Sequence, residues 1–554
     1  MTSREILFLI VTVLLISAAV ALIPTAPRNA APAVTAVKWD AVRDDPNERL
    51  KISWASCALF PSGKSDTWIQ RHLEQVFNVE FDPIFMDVPT LHNRQPLMFS
   101  GGDIPDLCWH GEPLAVQRCI HQGFVLELPY ELILKHAPTY VKNLNRYGPQ
   151  AWLYSRYKGR NYGIPTWASG DVFPLVDLWR KDWLAKVGIT KVPDTLDEFH
   201  TALWKFRHED PDGNGVKDTY GTCPEPWWGM FFQNIFSAFS VLPQDLMMRD
   251  GRIVWGGIQP EAREALALLR QWYAEDLFDP DFAAASASSP TLRKFSSGRI
   301  GYYYGSASWH SLDLNNPGSI YTTMKQVDPR VELVPGPALI GLDGKRHARV
   351  WGGPGHVVWF SRDLAKQPEK VIRVLKIIEA FAANPDLFIA SRLGKRGEHW
   401  EWSAQRGVHL LPPYDQPPND KRNLLSIKDL ENCWGFFSFC SVPLSETEPL
   451  LPKGMPAWRK TYSDPAWGMM NALGKSDVVP SAATLEDLRA FQIKVYTQII
   501  RGDKPLAYFE EFAKVWRERG GDALLAEANQ KLAEREAIYR TVGVIAAPTP
   551  PATP

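Results

Sequence analysis

Leu50-Lys51-Ile52-Ser53-Trp54 places an apolar side chain at every second position, the period of a half-buried strand. Thr67–Phe77 changes to the spacing of an amphipathic helix, and Val79–Phe85 returns to strand. The run Phe99-Ser100-Gly101-Gly102-Asp103-Ile104-Pro105-Asp106-Leu107 predicts a turn entering a further short strand. Helical periodicity recurs at Asp197–Arg207, Glu261–Ala274, Glu369–Ala382 and Leu485–Ile500. A last helical region, Leu506–Leu532, contains the pair Gly520-Gly521, which is expected to break it. Strands interleaved with helices predict an α/β architecture, and no fixed-period repeat is present.

The N-terminal pattern is different. From Ile6 to Ile23 only Thr12 and Ser17 interrupt an apolar run, Arg4 precedes it, and Ala19-Val20-Ala21 supplies a small-residue cleavage site. Residues 1–23 therefore predict an export signal, and their length also allows an uncleaved membrane anchor. No cysteine follows the run, so a lipid-modified cysteine is not the expected tether. Residues 24–48, rich in Ala, Pro and Thr, predict a flexible spacer, and 541–554 a disordered tail. The body is expected outside the cytoplasm, in the periplasm or on the outer face of the cytoplasmic membrane. In that oxidising space Cys108–Cys119 and Cys433–Cys440 are candidate disulfides, and small buried thiols are the alternative.

Composition narrows the function classes. A chain of 554 residues exceeds what one core usually organises, so two or more lobes are expected. With 61 basic and 62 acidic residues there is no positive excess to neutralise a phosphate backbone, which argues against nucleic acid as a partner. The 22 tryptophans stand out, because a flat apolar face with one N–H suits concave sites for ligands of mixed polarity. The signatures of nucleotide hydrolysis, dinucleotide binding, zinc proteolysis and α/β-hydrolase chemistry are all missing, so the chain is not read as an enzyme.

One segment points to a metal. In Asp210-Pro211-Asp212-Gly213-Asn214-Gly215-Val216-Lys217-Asp218, oxygen donors fall at loop positions one, three, five and nine, Gly215 at six, and the Val216 carbonyl at seven. That alternation lets a short loop wrap a hard cation, and structural Ca2+ is the expected cofactor. The acid of position twelve is replaced by Gly221, and no second helix is evident, so the loop is a partial one. A solvated Asp/Asn/Gly turn is the competing reading.

Several segments together resemble the extracellular solute-binding proteins, family 1, of ABC sugar importers, in particular the subgroup with lipoprotein-type and alginate-oligosaccharide-binding members. They are Ser100–Asp106, Lys158-Gly159-Arg160-Asn161-Tyr162-Gly163-Ile164-Pro165, Trp179-Arg180-Lys181-Asp182-Trp183-Leu184, Pro193–Phe199, the acidic loop ending Asp218-Thr219-Tyr220-Gly221, Phe295–Tyr302, and Gly394–Trp402. The resemblance implies a two-lobed fold of the periplasmic-binding-protein type II kind, with an interlobe cleft. One lobe would comprise 49–167 and about 345–400, the other 168–344 and about 401–540. It further implies a monomer that captures an oligosaccharide by hinge closure and presents it to the permease subunits of an ABC transporter. Two positions depart from the subgroup, which usually has an acid where Arg396 stands and often one where Thr219 stands.

Within that resemblance, tryptophans on loops after strands or beside glycines are the candidate sugar-stacking residues: Trp109, Trp167, Trp227, Trp228, Trp309, Trp351 and Trp402. His110, Glu398 and His399 are candidate hydroxyl partners, and Arg396 would suit a uronate. Core packing competes as a role for each tryptophan, and is the assignment for Trp179, Trp183 and Trp204. An exported carbohydrate-active enzyme and a membrane-tethered sensing or adhesion domain are the other function classes that the Trp content and the N-terminal run allow.

Overall fold

The computed structural model describes residues 37–57, 68–86, 95, 98–99, 101–110, 112–167, 175–224, 230–283, 290–306, 320–350, 354–384, 387, 390, 395–403, 407–412 and 464–544. The two larger sheets among them use strands β1 (Leu50–Cys57), β2 (Val79–Met86), β3 (Leu107–His110), β4 (Ile164–Trp167), β5 (Leu175–Arg180), β6 (Tyr302–Ser306), β7 (Leu333–Gly336) and β8 (Pro354–Phe360).

The first sheet has the order β2-β1-β3-β8-β4. β1 runs parallel to β2 and β3, whereas β8 is antiparallel to β3 and β4. Leu50, Ile52 and Trp54 of β1 are buried, as the alternation predicts, and Lys51 between them is exposed. The second sheet, β6-β5-β7, is antiparallel throughout. Trp179 of β5 anchors it, with Phe199 of the helix Leu196–His208 at 5.1 Å and Tyr302 of β6 at 4.6 Å between ring centroids. These sheets centre two lobes of a mixed α/β chain.

The chain passes from the first sheet to the second between Trp167 and Leu175 and returns between Gly336 and Pro354. On the return, Ala348–Val350 pairs in parallel with Gly468–Met470. The C-terminal helices then bind both lobes together. Leu485–Arg501 packs on Pro260–Ala274 of the second lobe. The final helix, Asp522–Val542, touches both Arg252–Trp255 and Pro149–Leu153. Asn529 bonds both the N–H and the carbonyl of Ile253 (2.9 and 3.0 Å), and Asn145 of the first lobe donates to the Val542 carbonyl (2.7 Å).

Some expectations hold here and others change. Gly520-Gly521 does break the last helical region, as expected: Gly520 leaves the helical conformation, and Tyr508–Trp516 and Asp522–Val542 are two helices joined across a kink at 517–521. Gly520 takes φ 112°, and a side chain on Gly521 would collide with the Trp516 ring. The pair is thus what lets Trp516 stack on Trp255, 5.3 Å between centroids. The last helix runs past Leu532 to Val542, two residues into the expected tail. At the other end, the expected spacer is tied down by residue 44. Buried Arg373 pairs with Asp44 and donates to the carbonyls of Asp45, Glu48, Phe77 and Asn78. Cys108 and Cys119 are separate thiols, the alternative to the candidate disulfide; burial pushes both thiols up, Cys119 to about 12. Cys433 and Cys440 lie outside the described residues, as does Ile6–Ile23. No described helix is long and apolar enough to cross a membrane.

The Arg373–Asp44 pair generates a stability prediction. Burial opposes ionisation of Asp44, but bonds from Arg373 and Lys376 outweigh it and hold the carboxyl below its ordinary value. Its contribution is present at neutral pH and disappears as the pH falls through that lowered value. Arg373→Met leaves Asp44 with Lys376 alone (2.7 Å) and should cost about 3–5 kcal/mol in urea unfolding at pH 7. The deficit should shrink as the pH falls through that lowered Asp44 value.

Candidate functional site

Strand register shows which sheet ends face each other. On the first sheet Trp167 pairs with Pro354 and His110 with Val357, so His110, Trp167 and Pro354 share one end. On the second sheet Leu175 pairs with Ser306 and Asp177 with Gly336, which puts the start of β5 beside the ends of β6 and β7. Only residues 168–174 separate Trp167 from Leu175. Seven residues span at most about 25 Å, so these ends lie at the crossing between the lobes, the side on which an interlobe cleft is expected.

The expected site residues divide into three groups. Trp109 and His110 lie at the cleft end of β3 but are buried. The Trp109 ring rests on His356 of β8 at 4.5 Å, and His110 Nδ1 accepts the Glu112 N–H at 3.0 Å. Trp167 has its backbone at the same end, and its side chain lies outside the described residues, as do Trp227, Trp228, Trp309 and Trp351 entirely.

Arg396, Glu398 and His399 lie in a turn leading into the hairpin Trp400–Ser403/Gly407–Leu410, and Trp402 is on its first strand. Gly397 takes φ 78°, and the buried His399 accepts the Lys395 N–H at Nδ1 (2.9 Å), which closes the turn. Arg396 lies over the ring of buried Trp400 and bonds Glu401 at 2.7 Å, so a carboxylate of its own turn already meets its charge. Glu398 is exposed and pairs with Lys395 at 3.1 Å. Trp402 is 52% exposed and offers an open ring. Trp179 and Trp183 are core residues as expected. Trp204 is a correction: 41% exposed, its ring lies tilted against His208 one helical turn away, because the core-facing stripe of its helix is already filled by Phe199, Leu203 and Phe206.

Sequence reading missed a polar group at the cleft end of the second sheet. Asp177 Oδ1 accepts from the Tyr302 hydroxyl and from Asn234 Nδ2 (3.3 Å), and Asn234 also donates to the Tyr302 oxygen at 2.7 Å. Burial pushes the carboxyl up to about 7 against the pull of these bonds. The available signal was an acid inside an otherwise apolar strand, Leu175-Val176-Asp177-Leu178-Trp179. Beside the group, Asn234, Tyr302 and Tyr304 line a cavity of about 20 Å³, room for a water but not a sugar ring. A second missed group holds the return crossing. Arg349 Nε meets Asp245 at 2.7 Å with both side chains buried, and Asn471 donates to the other Asp245 oxygen at 3.0 Å.

In the acidic loop, Asp210 accepts the N–H groups of Gly213 (3.1 Å) and Gly215 (3.0 Å), and Asn214 Oδ1 accepts that of Val216 (2.6 Å). Asn214 Nδ2 donates to both Asp212 (2.9 Å) and Asp218 (3.2 Å). Burial, then the neighbouring Asp210 and Asp218, pushes the Asp212 carboxyl up. That crowding of acids around one amide suits a hard cation. Against it, no three acidic, His or Cys side chains converge into a cage among the described residues. Position twelve has no room for an acid, since a Cβ on Gly221 would meet Leu203 Cβ at 2.6 Å.

Fold and cleft define a two-lobed binding protein. Residues 78–359, just over half of the chain, match the family model of bacterial extracellular solute-binding proteins, and the chain belongs to that family. It is 24% identical over 413 residues to Lipoprotein LipO of Bacillus subtilis strain 168, covering 70% of this chain and 74% of LipO. Among solved structures it is similar to the S. pneumoniae ABC-transporter substrate-binding protein FusA in complex with kestose, with TM-score 0.61, 18% identity, and coverage of 89% of this chain and 100% of that one. It is also similar to the alginate-binding protein AlgQ2 without calcium ion, with TM-score 0.62, 16% identity, and coverage of 88% and 98%.

The pH dependence of Asp177 is testable. Its folded value near 7 lies above the ordinary 3.8, so it favours the folded state at low pH and that contribution is lost as pH rises through 7. Relative to Asp177→Asn, the wild-type melting temperature should therefore fall by a few degrees between pH 5 and pH 8 in calorimetry. A constant difference would show that Asp177 does not titrate there.

Proposed function

We propose that this chain is the extracytoplasmic substrate-binding component of an ABC importer, and that it captures an oligosaccharide by closing its two lobes. The observation that carries the reading is the family match, which spans strands of both sheets and both crossings between them. The carbohydrate class is supported by two fold neighbours whose names state a kestose complex and alginate binding. In this reading the first lobe comprises 49–167 and about 345–400, the second 168–344 and about 401–540, with Asp522–Val542 strapped across both. A ligand touching both lobes favours the closed state by its differential affinity, and closure forms the surface that the permease recognises. Trp402 is a ring open to stack on a sugar face, and His110 stands at the cleft edge; Arg396, engaged by Glu401, lends little weight to a uronate.

Binding without turnover is part of the proposal. Kestose and an alginate trisaccharide serve as neutral and acidic probes in calorimetric titration. A ligand at a hundred times its Kd should add about 2.7 kcal/mol to folded-state stability. Chromatography after prolonged incubation should recover the sugar intact, and cleavage products would favour the exported-enzyme reading instead.

The Asp210–Asp218 loop is proposed to hold structural Ca2+ through Asp210, Asp212, Asn214, the Val216 carbonyl and Asp218. The wording of the AlgQ2 neighbour, which specifies the absence of calcium, agrees with a calcium site in a protein of this fold. Chelation by EGTA should lower the melting temperature by several degrees, and calcium but not magnesium should restore it. An unchanged melt would leave the loop as a solvated turn.

A further inference from the structure

We propose that the groove between the helix Leu485–Arg501 and the following stretch Lys504–Arg519 docks an acidic, extended segment of a partner protein. The site is separate from the sugar cleft, and the proposal does not depend on the sugar-binding reading.

The groove is built by the C-terminal helices alone. Along Leu485–Arg501, Asp487, Phe491, Lys494 and Gln498 recur at the spacing of one helical face and form one wall. Lys504, Tyr508 and Arg519 line the same space from the chain that follows, and buried Leu488 and Val495 supply an apolar floor. The space amounts to about 770 Å³, and the helical rise from Asp487 to Gln498 gives it a length of about 16 Å. None of the lining residues belongs to either large sheet or to a crossing between the lobes.

Charge selects the occupant. Around the groove, Arg489 pairs with Glu486 at 3.1 Å, Arg501 with Asp503 at 3.3 Å and Arg517 with Asp522 at 3.6 Å. Lys494, Lys504 and Arg519, the cations that line it, meet no acid among the described residues. Two of them are nonetheless held in place by rings: the Arg519 guanidinium lies 4.1 Å from the Phe491 centroid, and Lys504 Nζ lies 4.3 Å from that of Tyr508. Asp487, the one acid in the lining among the described residues, stands in the first turn of its helix, where the dipole already favours a negative charge.

Cations without anions of their own, set over an apolar floor, match carboxylates spaced between apolar groups. An extended peptide rises about 3.3 Å per residue, so about five residues fill the groove, and acids at alternate positions present a carboxylate to each cation. A polyuronate also carries carboxylates, but Thr484, Gln498 and the Tyr508 hydroxyl are the only uncharged polar side chains in the lining. They are too few to replace the water lost by a hydroxyl rim. A lipid bilayer is flat and would meet a groove only at its edges.

The test uses a fluorescein-labelled peptide of about ten residues alternating Glu and Leu, followed by anisotropy with the full chain. It should bind saturably and weaken several-fold between about 0.05 and 0.5 M salt. The double variant Lys494→Glu/Arg519→Glu, with circular dichroism unchanged, should bind at least about tenfold more weakly. No saturable binding, equal binding to the folded variant, or equal binding of a Lys/Leu peptide overturns the proposal. So does an alginate trisaccharide, or vesicles rich in phosphatidylglycerol, that binds more tightly than the peptide and loses that binding in the same variant. If the double variant does not fold, Lys494→Glu alone, at an exposed position, should weaken peptide binding about threefold or more, and unchanged affinity overturns the proposal.

Discussion

One buried ion pair fastens the return crossing to the second lobe. Arg349 lies on the return crossing, Asp245 belongs to the second lobe, and Asn471 belongs to the C-terminal segment that pairs with that crossing. Isolated in the interior, each charge would be strongly destabilising; together they neutralise one another, and Asn471 meets the remaining carboxylate oxygen. Three distant stretches of chain are thus required to meet at the crossing. Neither sheet needs this contact for its own strand pairing, so what the pair specifies is how the parts join.

That junction limits the motion available for closure. The chain is continuous through both crossings, and the final helix bonds the second lobe through Asn529 and the first through Asn145. Opening and closing must therefore be absorbed by a few backbone torsions near the crossings, because packed interiors do not deform smoothly. Closure about such a junction leaves two arrangements of the facing sheet ends. A ligand then has only to prefer one of them.

Much of the architecture was legible because it rests on periodicity. β1, β2 and the helices Pro260–Ala274, Pro368–Ala383 and Leu485–Arg501 fall within a few residues of the segments read from hydrophobic spacing alone. Features decided by tertiary contact were not. Gly520-Gly521 reads locally as a helix break, but the space it leaves is filled by Trp516, a contact no local pattern announces. Trp204 shares helical spacing with core residues, but the core stripe was already complete. The buried polar groups were least legible of all. A carboxylate such as Asp177 acquires its meaning from Tyr302 and Asn234, more than fifty residues away in sequence, and no spacing rule connects them.

The acidic loop illustrates how position restricts a role even where composition is suggestive. Its C-terminal end continues into a bridge between Tyr220 and Ile300, and Arg207 ties it down through the Lys217 and Thr219 carbonyls. Ile300 precedes β6, and β6 begins opposite Trp179, near the end of β5 remote from Leu175. The length of β5, roughly 17–20 Å for a strand of this size, therefore stands between the loop's anchor and the cleft. A cation held there would not touch a ligand in the cleft. Its influence would be on the stability of the second lobe, through the helix Leu196–His208 and the strand that the loop joins. Gly221 makes the same point from the other side: its place against Leu203 serves the packing of that lobe and excludes the twelfth ligand of a complete loop.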